Sequence, residues 1–254
     1  MKVGFAGAGN MAGAMARGWA GANGGPDAMT FCDLDRERAQ TLAREVHGEV
    51  VEGLSDLARG ADLVVLAVKP AALDDVAAEL GEAPAVLSVL AKTPLARLHD
   101  ALPGFPVIRV MPNQPVEVRR GVLCYVPSQD VSSDLAERIV RLLDILGTTI
   151  PLQEEHVDAA MAVMSSSPAY VALVSEALSD AGEKRGLEPR LAHELVVDTL
   201  AGTAELLRIH DPEEVRRKVA SPGGATEKGL RVLEERALHA AIDGAVRASM
   251  GGKR

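Results

Sequence analysis

A glycine-rich segment near the amino terminus has the spacing of a dinucleotide-binding loop. Gly7, Gly9 and Ala12 form the pattern G-x-G-x-x-A between the apolar run Val3–Ala6 and an alanine-rich stretch. In such a loop the first glycine permits a tight turn, the second lets a pyrophosphate approach the backbone, and the alanine allows helix and strand to pack closely. Because N–H groups at a helix N-terminus bind anions, the segment predicts a cofactor-phosphate site. Its residues are Gly7, Ala8, Gly9, Asn10 and Met11.

An aspartate follows the second apolar run, about 20 positions after this motif, where dinucleotide-binding folds carry an acidic residue. A carboxylate at this place, Asp33, accepts hydrogen bonds from the adenosine ribose and repels a 2′-phosphate. The sequence therefore slightly favours NADH over NADPH. Arg36 and Arg38 lie just beyond and could hold a 2′-phosphate, but they are also ordinary residues for the start of an exposed helix, so NADPH stays open.

Two later strand ends offer further cofactor contacts, because ligands of open α/β sheets bind outside the carboxyl ends of the strands. The first is Ala67, Val68, Lys69 and Pro70, for which a strand followed by a solvated lysine is an equally good interpretation. The second is Asn113, between Pro112 and Pro115. Its amide could orient the nicotinamide carboxamide or close the turn as an Asx residue.

A second glycine-rich segment opens a helix in the other half of the chain. Free N–H groups at a helix N-terminus, next to a threonine hydroxyl, suit a small carboxylate. The residues are Ser221, Gly223, Gly224, Ala225 and Thr226. On spacing alone, a Pro-Gly-Gly turn with Thr226 as a simple N-cap is the stronger interpretation.

The elements that must position these residues divide the chain in two. Short apolar runs separated by helical segments predict buried parallel strands in an α/β sheet. They are Val3–Ala6, Met29–Cys32, Leu63–Val68, Val86–Leu90, Val107–Met111 and Val122–Val126. Beyond Glu154 the periodicity is helical. We predict a Rossmann-like doubly wound domain over residues 1–151 and an all-helical domain over residues 152–254.

Composition and charge exclude several classes of protein. The net charge of −9 and the 2% aromatic content disfavour binding to nucleic acid. No apolar stretch is expected to reach the roughly 20 residues that span a bilayer, and no signal peptide is recognised. Cys32 and Cys124 have no metal-ligand spacing, so we predict no metal site, no disulfide and a cytoplasmic setting.

The motifs together resemble the Δ1-pyrroline-5-carboxylate reductase family over nearly the whole chain. The segments that carry the resemblance are GFAGAGNMAGAM, LAVKP, RVMPNQP, SSSPAY, EALSDAGEKRGL and KVASPGGATEKGLRVLE. The resemblance implies a Rossmann-like domain and a helical domain through which two subunits interlock, with the active site between the domains. It also implies a homodimer, which in the family often assembles into a ring of dimers.

The resemblance implies roles for individual residues. The loop from Ser221 to Thr226 would hold the substrate carboxylate on backbone N–H groups, and Thr226 would hydrogen-bond the ring nitrogen as the catalytic residue. Glu154 would help to place the ring. The chain departs from the family pattern at several positions: Ser165–Ser167 in place of glycine-containing residues, Gln114, Lys92 in place of glycine, and Ile209–Asp211.

The implied reaction is hydride transfer from NAD(P)H to the C=N bond of Δ1-pyrroline-5-carboxylate, giving L-proline. If the imine binds as its iminium, positioning does most of the work. The alternatives are a related imine or β-hydroxyacid oxidoreductase and a non-catalytic NAD(P)-binding regulator. A β-hydroxyacid enzyme would need a lysine in the helix that starts near Pro168, where none occurs before Lys184.

Overall fold

The computed structural model describes residues 1–250; residues 251–254, with which the predicted helical domain ends, lie outside the described residues. The chain forms two compact units, Met1–Ser165 and Ser166–Arg254. We call them the sheet unit and the helical unit. The boundary predicted between residues 151 and 152, which separates a cofactor-binding domain from a substrate-binding and dimerisation domain, stays a prediction.

The sheet unit is built on one eight-stranded sheet. Its strands are β1 (Lys2–Ala6), β2 (Ala28–Cys32), β3 (Glu49–Val50), β4 (Leu63–Leu66), β5 (Val86–Ser88), β6 (Val107–Pro112), β7 (Gly121–Pro127) and β8 (Gly147–Pro151). Their order across the sheet is β3-β2-β1-β4-β5-β6-β7-β8. The order reverses direction between β1 and β4, which is the topological switch point at which doubly wound sheets bind nucleotides.

Helices cover both faces of this sheet. They are α1 (Asn10–Ala20), α2 (Arg36–Val46), α3 (Leu54–Gly60), α4 (Leu73–Leu80), α5 (Leu95–Ala101), α6 (Ser133–Asp144) and α7 (Val157–Met164). One core joins α1, α2 and α6 to the sheet, and the other joins α3, α4 and α5. In the first core Phe5 stacks on Phe31 with ring centroids 5.0 Å apart, and the Trp19 indole N–H donates to Leu142 O. The predicted fold class is confirmed.

The sheet differs from the prediction in three ways. β6 and β7 pair antiparallel, because a short 3-10 turn (Gln114–Val118) connects them and a parallel pair needs a longer crossover. β3 and β8 were not predicted, since β3 has two residues and β8 is half-exposed and contains Thr148 and Thr149. β4 and β5 end two residues earlier than expected.

The helical unit contains only helices among the described residues 166–250. They are α8 (Ser167–Glu183), α9 (Pro189–Leu206), α10 (Pro212–Val219), α11 (Ala225–Glu235) and α12 (Leu238–Ser249). In this described range only Ser179 and Ala192 are buried. Many leucine and valine side chains of the unit are therefore exposed in the single chain.

The expectation that no apolar stretch is long enough to span a bilayer is wrong for one helical stretch. By length and composition, Glu154–Glu183 is apolar enough to cross a bilayer, and little of its most apolar window is buried within the chain. A single stretch of this kind is weak evidence for a membrane span. It is also divided at Ser165–Ser166, between the end of α7 and the start of α8.

Candidate active site

The first glycine-rich loop brings three predicted segments together. Gly7 has φ +101°, and a Cβ at this position would lie 2.6 Å from Ala67 O. Its N–H donates to Cys32 O at 2.8 Å, while Ala67 N–H donates to Ala6 O at 2.8 Å. The turn at Gly7 therefore lies against the ends of β2 and β4, and no side chain fits between them.

Gly9 leaves open space above the start of α1. It is the N-cap residue of the helix, no side chain caps the helix there, and a Cβ on Gly9 would meet no atom within 4 Å. The N–H groups of Asn10 and Met11 are in the first turn and have no acceptor within the helix. This cradle of backbone N–H groups fits a pyrophosphate.

Asp33 is tied to the same loop. Its Oδ2 accepts the N–H of Ala8 at 2.6 Å, and its Oδ1 accepts the N–H of Asp35 at 2.8 Å. The carboxylate therefore lies beside the glycine-rich loop, at the end of β2, as the sequence predicts. Next to it the side chain of Leu34 is fully exposed, an apolar residue that the sequence analysis did not single out.

The two arginines beyond Asp33 lie in different places. Arg36 pairs with Glu52 at 2.7 Å. Arg38 pairs with Asp35 at 3.0 Å and lines a cleft of about 440 Å³ between α1 and α2, which begins at the glycine-rich loop. Of the two, Arg38 is thus the cation that shares a cleft with the predicted phosphate-binding residues.

The chain enters a 3-10 turn shortly after the end of β4. The strand ends at Leu66, Ala67 and Val68 are half-buried, and Lys69 and Pro70 are exposed at the start of a 3-10 turn. The exposed Lys69 agrees with the interpretation as a solvated lysine. The backbone at Ala67 and Val68 is next to Gly7, as a cofactor contact requires.

Asn113 connects segments of the sheet unit instead of closing a turn. Its side chain is buried, Oδ1 accepts the N–H of Val122 at 2.8 Å, and Nδ2 donates to Met164 O at 3.1 Å. No side-chain cap is formed at the following 3-10 turn, so of the two alternatives for Asn113 the Asx closure is wrong, and the contact with the nicotinamide carboxamide stays a prediction. Asn113 joins β6 to β7 and to the end of α7.

Glu154 contacts other parts of the sheet unit. Its Oε1 accepts hydrogen bonds from the guanidinium of Arg109 and, at 3.0 Å, from the N–H of Leu95. Arg109 is 3% exposed. Arg109 was not among the predicted site residues, although a single arginine inside the apolar run of β6 is a signal for a buried ion pair.

The second glycine-rich loop opens α11. Gly224 is the N-cap residue, so Thr226 is the second residue of the helix and its interpretation as the N-cap is wrong. The N–H of Gly223 donates to Glu227 at 2.7 Å and that of Gly224 to Ser221 O at 2.9 Å. The N–H groups of Ala225 and Thr226, in the first turn, have no helical acceptor. They are the donors that this loop offers to an anion.

The departures from the family pattern have local explanations. Ser165 and Ser166 have φ of −79° and −85°, which any residue adopts, so glycine is not required there. Lys92 has φ +55°, a left-handed conformation that glycine adopts more easily.

The loop around His210 carries its own polar cluster. His210 Nδ1 lies 3.1 Å from Glu214, and the Lys218 ammonium lies 2.8 Å from Glu214. The hydrogen bond from Lys218 is the main reason why the pKa of Glu214 is lowered, with His210 contributing. These pairs tie the residues that precede α10 to the helix itself.

Comparisons with known proteins cover both units. Residues 154–254 match the family model described as pyrroline-5-carboxylate reductase dimerisation, and residues 2–92 match the model described as NADP oxidoreductase coenzyme F420-dependent. A pyrroline-5-carboxylate reductase of Synechocystis sp. is 34% identical over 98% of this chain and 96% of the relative. One of Pseudomonas aeruginosa is 35% identical over 98% and 94%.

A solved structure agrees with these matches. The Plasmodium falciparum pyrroline carboxylate reductase with NADP bound superposes with a TM-score of 0.90 at 28% identity, over 99% of this chain and 96% of that one.

Proposed function

The chain belongs to the pyrroline-5-carboxylate reductase family, and from this we propose that it reduces Δ1-pyrroline-5-carboxylate to L-proline with NAD(P)H. It is an oxidoreductase that acts on the C=N bond, in proline biosynthesis. The single observation that carries the proposal for the site is the start of α11, where Ala225 and Thr226 present unpartnered N–H groups beside an exposed threonine hydroxyl.

The helical unit holds the substrate. The N–H groups of Ala225 and Thr226 bind its carboxylate at the positive end of α11, with Ser221, Gly223 and Gly224 shaping the loop. The exposed Thr226 hydroxyl oxygen accepts a hydrogen bond from the N–H of the protonated ring nitrogen and so keeps the iminium oriented. Because the substrate enters charged, the residues need only to position it.

The sheet unit holds the cofactor, which supplies the hydride. Gly7, Ala8, Gly9, Asn10 and Met11 bind its pyrophosphate on backbone N–H groups, and Ala67, Val68, Lys69 and Pro70 offer backbone contacts. Asn113 supports the cofactor site indirectly, because its side chain joins the end of β6 to β7 and to the end of α7.

We place NADH ahead of NADPH as the preferred cofactor. The carboxylates of Asp33 and Asp35 both lie at the adenosine end, where they repel a 2′-phosphate, while the guanidinium of Arg38 is already paired with Asp35. The cleft that begins at the glycine-rich loop is lined by two arginines, Arg17 and Arg38, and by three carboxylates, so this end is negative overall.

The protein works as an oligomer built through the helical unit, and we propose a homodimer that assembles further into a ring of dimers. The support is the dimerisation-family match and the exposed apolar side chains of α8 and α9, such as Leu173 and Leu195. We also propose a cytoplasmic setting, since Cys32 and Cys124 are buried free thiols whose pKa values are raised by burial.

Steady-state kinetics test the proposed function. Purified protein should oxidise NADH and NADPH only when Δ1-pyrroline-5-carboxylate is added, with a lower KM for NADH. A non-catalytic regulator would bind the cofactor without turnover, and a reductase for another ring would turn over the six-membered imine carboxylate faster.

A further inference from the structure

Arg109 is the only charged residue that is buried among residues 1–250. Its guanidinium bonds to Glu154 Oε1, and its Nη2 lies 3.9 Å from Asp158 Oδ1. Removing an arginine from water without a charged partner is expensive, so a lone buried arginine needs a fixed carboxylate. Glu154 is that carboxylate.

The same oxygen of Glu154 also caps a helix. α5 begins at Leu95, and its N-cap residue, Pro94, provides no side-chain cap. The carboxylate accepts the free N–H of Leu95, where negative charge is favourable because of the helix dipole. Arg109 thus holds a carboxylate at the start of α5.

This contact fixes the β5–α5 loop, residues 89–94. Within the loop Lys92 has a left-handed conformation, φ +55°, and Thr93 is buried with its hydroxyl on Ala91 O at 3.2 Å. A non-glycine residue keeps such a conformation only when its surroundings determine it. The bond from Leu95 to Glu154 anchors the end of this loop.

The loop lies at the carboxyl end of β5, beyond the switch point between β1 and β4. In a doubly wound sheet the first half, β1 to β3, faces the adenosine part of the dinucleotide and the second half faces the nicotinamide part. The β5–α5 loop is consequently on the nicotinamide side.

The two carboxylate oxygens of Glu154 differ in their contacts. Oε1 is shared by Arg109 and Leu95, and Oε2 is buried without a hydrogen-bond partner in the described part of the chain. Oε1 is therefore committed to contacts within the sheet unit.

We propose that Arg109 and Glu154 are a pair of positioning residues, which hold the β5–α5 loop against the nicotinamide half of the cofactor. The proposal deepens the proposed function, on which it rests for the identity of the cofactor. It gives a role in the reaction to a buried arginine that no part of the mechanism uses.

The test compares binding of NADH with binding of ADP-ribose, which lacks the nicotinamide half, by calorimetry. Glu154→Gln and Arg109→Gln should each weaken NADH binding by about tenfold or more, the scale of a misplaced contact, and change ADP-ribose binding by less than about twofold. The double variant should bind NADH no more weakly than the more weakly binding of the two single variants, because both substitutions remove the same interaction. Asp158→Asn is the matched control, since Asp158 also faces Arg109 but does not contact α5, and it should bind both ligands as the parent does.

Three results would overturn the proposal: equal loss of NADH and ADP-ribose binding, unchanged binding of both, or a Glu154→Gln enzyme in which only the KM for the substrate rises. If Arg109→Gln does not fold, Arg109→Lys, which keeps the cation but not the fork of donors, should give an intermediate loss of NADH affinity. Because binding is measured without turnover, failure here is distinguishable from absence of the reductase activity.

Discussion

The carboxylate of Asp33 accepts the N–H of Ala8 at 2.6 Å, which joins the end of β2 to the glycine-rich loop. A single side chain thereby fixes the loop that we propose binds the pyrophosphate, and it puts a negative charge beside that loop. In the proposed cofactor site, loop geometry and cofactor choice are coupled through this one hydrogen bond.

Replacing Asp33 by serine should raise kcat/KM for NADPH relative to NADH by roughly tenfold, because relief of one like-charge contact is worth on the order of 1 to 2 kcal/mol. Steady-state kinetics with both cofactors measure the ratio. Asp62→Ser is a matched control, since Asp62 accepts the N–H of Lys2 at 2.8 Å near the amino end of β1. A ratio that stays the same in Asp33→Ser would remove Asp33 from cofactor selection.

The glycines of the first loop should respond differently to alanine. Gly9→Ala should fold normally, because its Cβ meets no atom within 4 Å, yet weaken NADH binding by about tenfold or more by obstructing the pyrophosphate. Gly7→Ala should lose stability, since its Cβ would lie 2.6 Å from Ala67 O at a φ of +101°. Thermal melts and cofactor titration separate the two effects. Normal NADH affinity in Gly9→Ala would argue against a pyrophosphate at this position.

Thr226→Ala should lower kcat/KM by about 10²-fold, the scale for loss of a positioned hydrogen-bonding group, whereas Thr226→Ser should keep most of the rate. Stability should change little in either variant, because Gly224 and not Thr226 is the N-cap residue of α11. Cofactor affinity, measured by titration, should not change. A folded Thr226→Ala enzyme with the parental kcat/KM would leave the N–H groups of Ala225 and Thr226 as the only substrate anchor in the loop.

The exposed leucines of the helical unit should mediate assembly. Leu195 in α9 is 52% exposed in the single chain. Leu195→Asp should convert the oligomer to smaller species or to aggregate, because the interface would otherwise bury a charge. Glu194→Gln, at the neighbouring position, serves as the control. Sedimentation of the parent at micromolar concentration should show a dimer or a multiple of dimers. A fully active species of 26.6 kDa would contradict the proposed assembly.

The order of elements was largely predictable from sequence, because buried strands such as Val107–Met111 are continuous apolar runs and the helices after Glu154 are periodic. The positions of Gly7, Gly9 and Asp33 were also predictable, since a tight turn and an acidic strand end have fixed spacing. The edge strand β8 was not, because half-exposed threonines give no apolar signal.

The partners of polar side chains could not be predicted. Asn113 lies 51 residues from Met164, and Glu154 lies 59 residues from Leu95, yet each pair is hydrogen-bonded. Spacing along the chain carries no information about such contacts, so these two internal connections were not predicted, and the substrate-placing role of Glu154 stays a prediction. The conformation of Thr226 needed the structure as well, because the start of α11 depends on whether Gly224 or Thr226 has extended dihedral angles.

The most direct measurement of the central claim follows the hydride itself. The protein is incubated with Δ1-pyrroline-5-carboxylate and NADH deuterated at nicotinamide C4, and the product is analysed by mass spectrometry and NMR. The account predicts L-proline with deuterium on the ring carbon that is bonded to nitrogen and does not carry the carboxylate. Absence of labelled proline, while the protein binds NADH and is folded, would contradict it.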